Sequence, residues 1–148
     1  MTWSDRFIGI PQVDGGRSLS GVDNCWVLGC VIFREELHIS LPDYLGKVCP
    51  DEQDEVAALI EGEKSSPLWL PVDGLAIAFD IALFRMGRYT SHVGIVVKNG
   101  LMIHVHGEGQ SKIERYDAGR WSHRFEGHFR HRERAVKHPV QLIERAAR

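Results

Sequence analysis

No stretch of this chain comes near the roughly 18 consecutive apolar residues that a membrane-spanning helix needs, so no membrane span is expected. Residues 1–10 carry Asp5 and Arg6 and hold no apolar signal core, so export by a cleaved signal is not expected either. Net charge is nearly absent, at −2 with a sequence pI near 6.4, which removes the bulk electrostatic case for a nucleic-acid partner. Cysteine is scarce: three in 148 residues, too few for a disulfide scaffold. The number is odd, so at least one thiol is free unless it bonds another chain. There is no internal repeat and no low-complexity tract. Metal-binding spacings such as CxxC and HExxH are missing, so neither a metal nor another cofactor is expected.

What remains is an ordinary globular composition, 43% apolar and 26% charged in 16.8 kDa. That suits one domain over residues 1–148, ending in a basic tail over 132–148. The first twenty residues read as loop and turn, with Pro11, Asp14-Gly15-Gly16 and Ser18–Gly21. From Asn24 to about His38 the spacing turns helical. Trp26, Cys30, Phe33 and Leu37 form one stripe, and Leu28, Val31 and Ile32 add apolar surface elsewhere, the pattern of a buried helix. Asp23 or Asn24 is its expected N-cap.

Pro50-Asp51-Glu52 opens a second helix, to about Gly62, with Val56, Leu59 and Ile60 inward. Residues 63–74, with Pro67 and Pro71, read as irregular. A strand meander follows: Ile81–Arg85, Ser91–Val97, Leu101–His106, Lys112–Tyr116 and a last strand around Phe125–Arg130. Asn99-Gly100 between two apolar runs is a strong hairpin signal. The fold class is therefore α+β, with helices first and a small antiparallel sheet after them.

Cys25 falls at the first turn of the buried helix, where free backbone N–H groups and the helix dipole favour a thiolate. Cys30 lies on the apolar stripe, and Cys49 has no base beside it in sequence. A thiol nucleophile needs a base, and the base needs a third group to fix its tautomer. His92 opens one strand of the Asn99-Gly100 hairpin, while His104 and His106 share a face of the other. With Asn99-Gly100 as the turn centre, 95 faces 104 and 92 lies near 107, so His92 and His104 become diagonal neighbours if the strands stagger or bulge.

Gly21-Val22-Asp23-Asn24-Cys25-Trp26, Ser91-His92-Val93-Gly94-Ile95-Val96 and Ile103-His104-Val105, in that order, resemble the NlpC-type cysteine peptidases of papain-like fold. Phe79–Arg85 and Glu126–His131 extend the resemblance and bring it nearest to the short phage tail-tip branch, over about residues 7–131. The resemblance implies a peptidase of bacterial peptidoglycan stem peptides, with Cys25 as nucleophile, His92 as base and His104 as the orienting residue. Asp23, Asn24, Trp26, Ser91 and His106 become candidates for a substrate groove or oxyanion site. It also implies other tail-tip proteins as partners and a virion tail-tip location, with synthesis in the host cytoplasm and action in the periplasm. Asn24 stands where the family usually has Asp, and Val27 where it usually has a small Gly. Two alternatives stay open: a structural tail protein with the same fold and a weak or dead site, and a zinc site built from Cys25 and the histidines.

Overall fold

The computed structural model describes residues 2–42, 53–107 and 109–136. A 3-10 turn, Trp3–Phe7, opens the chain, and a short ribbon of β1 (Arg17–Ser18) and β2 (Gly21–Val22) follows. α1 (Cys25–Ile32) continues into a wider π turn, Phe33–Leu37, which ends on left-handed His38. α2 is Gln53–Lys64. The strands are β3 (Trp69–Pro71), β4 (Ile81–Met86), β5 (Tyr89–Lys98), β6 (Leu101–His104), β7 (Lys112–Arg115) and β8 (Phe125–His131), with α3 (Arg132–Val136) after them. Among the described residues β3–β8 form one antiparallel sheet in the order β3-β8-β4-β5-β6-β7. The expected α+β arrangement is the one observed.

α1 explains its own composition. All eight of its residues are buried, because one side meets the sheet and the others are covered by the N-terminal segment and neighbouring loops. It packs on the sheet face that carries Ile81, Leu83, Val93, Ile95 and Ile103. The tight point is Gly29, where an added Cβ would stand 3.2 Å from Ile95 Cδ1. The opposite face carries a second, smaller core of Ala82, Phe84, Val96, Met102, Tyr116 and Trp121.

Several expectations change at their edges. Residues 63–74 are not wholly irregular: Trp69–Pro71 pairs with Phe129–His131 as an edge strand, a position that tolerates Pro71. β6 stops at His104, so His106 lies beyond the ladder. His131 is buried against Trp69 and Phe33, with ring centroids 5.1 and 5.9 Å away. His128 also turns inward and bonds the Tyr116 hydroxyl at 2.6 Å. Ile60 is buried as expected. The side chains of Val56 and Leu59, together with Cys49, Pro50–Glu52, His138 and the rest of the basic tail after residue 136, lie outside the described residues.

The hairpin register carries the main correction. Lys98 pairs with Leu101, but Val97 bulges out, and beyond it Val96 pairs with Met102 and Ile95 with Ile103. A one-residue slip reverses which face each side chain takes. Here it puts His92, Gly94 and Val96 on the same face as Met102 and His104. The close approach of the two strands on that face needs Gly94, since a Cβ there would meet Met102 Sδ at 2.3 Å.

Candidate active site

Asn24 is the N-cap of α1. Its backbone is extended and its Oδ1 accepts the Val27 N–H at 3.0 Å. That is what a capping Asn does, and it leaves the Cys25 and Trp26 amides of the first turn near the Cys25 sulfur, where they favour its ionised form. The backbone N–H of Val93, the residue after His92 on β5, lies close enough to the same sulfur to favour its ionised form. The thiol and the histidine strand therefore meet, from elements 68 residues apart in sequence. Among the described residues no hydrogen bond joins Cys25 to the His92 ring.

The ring is engaged elsewhere. His92 Nε2 lies 2.8 Å from His104 Nδ1, and His104 Nε2 lies 2.8 Å from Glu114 Oε1 on β7. Both histidines are buried. Trp121, in a 3-10 turn at Gly119–Trp121, stacks on His92 with centroids 4.8 Å apart and planes 23° apart. It meets His104 and His106 edge-on at 5.0 and 5.3 Å. Arg120 caps the outer face of the indole at 5.0 Å. His106 is half-buried, with its ring 5.3 Å from that of His92.

Electrostatics favour neutral groups at rest. Burial pushes the Cys25 thiol up, against the lowering pull of the Val93, Trp26 and Cys25 amides. The sequence-based expectation of a thiolate at the helix start is thus reversed by desolvation. Burial also drives His92 well below the ordinary imidazole range, helped by His104, His106 and Arg120. His104 is lowered by burial as well, although the Glu114 carboxylate opposes this. The resting pair is a thiol and a neutral imidazole, ready for proton transfer during attack rather than charged beforehand.

The remaining sequence candidates divide. Asp23 is buried and structural: its Oδ1 accepts the Gly15 N–H at 3.2 Å and its carbonyl accepts Gln12 Nε2–H at 3.0 Å. Trp26 points into the core, donates to the Pro42 carbonyl at 2.7 Å and packs edge-on against Trp69. Ser91 sits in a β-bulge between Arg85↔Thr90 and Phe84↔His92, buried beside the site. Its hydroxyl has no hydrogen-bond partner among the described residues. Among those residues, no group of three His, Cys, Asp or Glu side chains is arranged to hold a metal. Two members of the cluster, Glu114 and Trp121, escaped the sequence reading. The faint signal for Glu114 was alternation, since Lys112 and Glu114 must share a face once β7 pairs with β6.

A thiol at the tip of a buried helix, set against an antiparallel sheet that supplies the histidines, defines a papain-like α+β domain. The sequence profile of the NlpC/P60 family matches residues 9–130, and the chain belongs to that family of cysteine peptidases and peptidoglycan hydrolases. Among solved structures it is similar to the NlpC/p60 domain of the peptidoglycan hydrolase SagA, with TM-score 0.53, 19% identity and coverage of 78% of this chain and 85% of that one. It is also similar to an NlpC/P60 family protein of Bacillus cereus, with TM-score 0.60 and 18% identity over 88% of this chain. A lipoprotein-like NLP/P60 family protein of Staphylococcus aureus gives TM-score 0.57 and 21% identity over 86% of this chain. The chain spans 40% and 38% of the length of the latter two. Among curated proteins none matches it significantly.

Proposed function

We infer that this chain is a cysteine endopeptidase that hydrolyses peptide bonds in bacterial peptidoglycan stem peptides. The observation that carries this reading is the buried Cys25 thiol at the N-terminus of α1, next to the Val93 amide of β5, with the buried His92–His104 pair beginning one residue away on that strand. Cys25 attacks the scissile carbonyl carbon, forming a C–S bond as the thiol proton passes to His92. His92 returns that proton to the leaving amine as the C–N bond breaks. Water, deprotonated by His92, then attacks the thioester and frees the acid and the thiol. The Cys25 backbone N–H, at the open end of α1, is the natural donor to the developing oxyanion. His104 holds the base in place.

The reading places the enzyme at a virion tail tip, beside other tail proteins and acting on the wall in the periplasm. It rests there on the sequence resemblance to the phage branch. A second reading, an assembly protein with a silent site, is favoured by one observation: at rest the His92 ring bonds His104, and among the described residues no hydrogen bond joins it to the thiol. Mass analysis of purified sacculi after incubation with the protein separates the two. New amino and carboxyl ends within stem peptides, with intact glycan strands, are the expected result. Unchanged stem peptides at enzyme concentrations that saturate the wall would favour the assembly role.

A further inference from the structure

We propose that Glu114 sets the protonation pattern of the catalytic histidines, acting through His104 as a positioning residue that selects the nitrogen on which His92 works as a base. The proposal deepens the peptidase reading and rests on its assignment of His92. An ionised carboxylate accepts hydrogen bonds and donates none. Glu114 Oε1 lies 2.8 Å from His104 Nε2, so that nitrogen carries the hydrogen. A neutral imidazole has one N–H, so His104 Nδ1 is left as an acceptor. His92 Nε2, 2.8 Å from it, must then donate. The hydrogen of neutral His92 is thereby held on Nε2, and Nδ1 keeps the lone pair that a general base requires.

Each step has support in the surroundings. Glu114 stays ionised: burial alone would raise its carboxyl, but the bond from the His104 Nε2–H and the nearby Lys112 ammonium outweigh that and hold it below the usual range. Lys112 Nζ stands 3.6 Å from the same oxygen. The Trp121 indole N–H is near enough to favour the charge without making a hydrogen bond of normal geometry. His104 is kept neutral by burial and by Lys112 and His106. His92 is kept neutral by burial, with His104, His106 and Arg120 facing it. The stacked Trp121 ring restricts rotation of His92. When His92 takes the thiol proton, the Glu114 charge stabilises the resulting imidazolium across His104.

The pH dependence follows with a definite sign. If His104 became protonated, both its nitrogens would donate, and His92 Nε2 would have to accept, which moves its hydrogen to Nδ1 and silences the base. The acid limb of hydrolysis is therefore set by protonation of the histidine pair. Removing the Glu114 charge lowers the proton affinity of that pair, so the acid limb moves to lower pH even as the rate falls. A merely structural Glu114 would lower the rate without moving the limb.

Long-range 1H–15N correlation spectra of the intact wild-type protein near pH 7.5 test the assignment without any substitution. The expected result is hydrogen on Nε2 of both His92 and His104. In Glu114→Gln the amide can either accept from or donate to His104 Nε2, so the wild-type tautomer is no longer enforced and the opposite one should gain population. Hydrolysis should drop at least about tenfold, because a base in the wrong tautomer cannot accept the proton, and its acid limb should move down. Hydrogen on Nδ1 of His104 in the wild type, or a Glu114→Gln protein with unchanged tautomers and acid limb, would overturn the proposal. A wild-type protein with the expected tautomers that leaves peptidoglycan uncut would sink the peptidase reading and leave the Glu114 relay standing.

Discussion

Cys25→Ala is expected to reduce stem-peptide hydrolysis to the blank rate, a loss of up to about 10⁶-fold by analogy with removal of a serine nucleophile, while the folded structure survives. The activity loss follows from chemistry: no other thiol among the described residues lies at a helix tip against the histidine strand. Cys30 sits one and a half turns further along α1, where its Sγ lies 3.8 Å from the Pro42 carbonyl. The survival of the fold follows from size, since only a sulfur is removed and the cap bond from Asn24 to Val27 is untouched. Comparison of product release with thermal unfolding checks both halves. An alanine variant that still cuts stem peptides would remove Cys25 from the mechanism.

The second large effect concerns stability. Trp121→Ala should destabilise the protein by about 3–5 kcal/mol, the usual cost of emptying a buried Trp site. Trp121 is 2% exposed and connects two groups of side chains. One edge meets Phe84 at 5.3 Å in the smaller core, and its face covers His92. Its loss would open a cavity and admit water to histidines whose neutrality depends on burial. Out of a total stability of about 5–15 kcal/mol, this is a large share. Trp121→Phe should recover most of it by keeping an aromatic face on His92. Denaturant titration gives the number, and a loss below about 1 kcal/mol would show that the indole is not the support described.

The parts of the fold legible in the sequence were those written locally. The all-round apolar run from Trp26 to Phe33 announced a buried helix, and Asn99-Gly100 announced the hairpin. Cys25, His92 and His104 could be singled out because helix-start chemistry and strand alternation act over a few residues. What stayed hidden depends on distant partners. The Val97 bulge, which decides the face of His92, has no local marker. Trp69–Pro71 becomes a strand only because β8, some sixty residues later, offers it an edge. Glu114 and Trp121 join the site through register and loop return, and neither is coded near the histidines it touches. The thiolate expectation failed for a related reason: the helix start is visible in sequence, whereas the depth of burial that opposes it is set by tertiary packing.

The central claim is that the Cys25 sulfur and the His92 imidazole act as one unit on an acyl group. Its most direct test is a short stem peptide carrying a thiol-trapping acyloxymethyl ketone where the scissile carbonyl would be. Wild-type protein should acquire one adduct per chain, mapped by mass spectrometry to Cys25, and His92→Ala should slow the reaction at least about a hundredfold, the lower range for loss of a general base. Label spread over Cys30 or Cys49, or a rate on Cys25 indifferent to His92, would contradict the account.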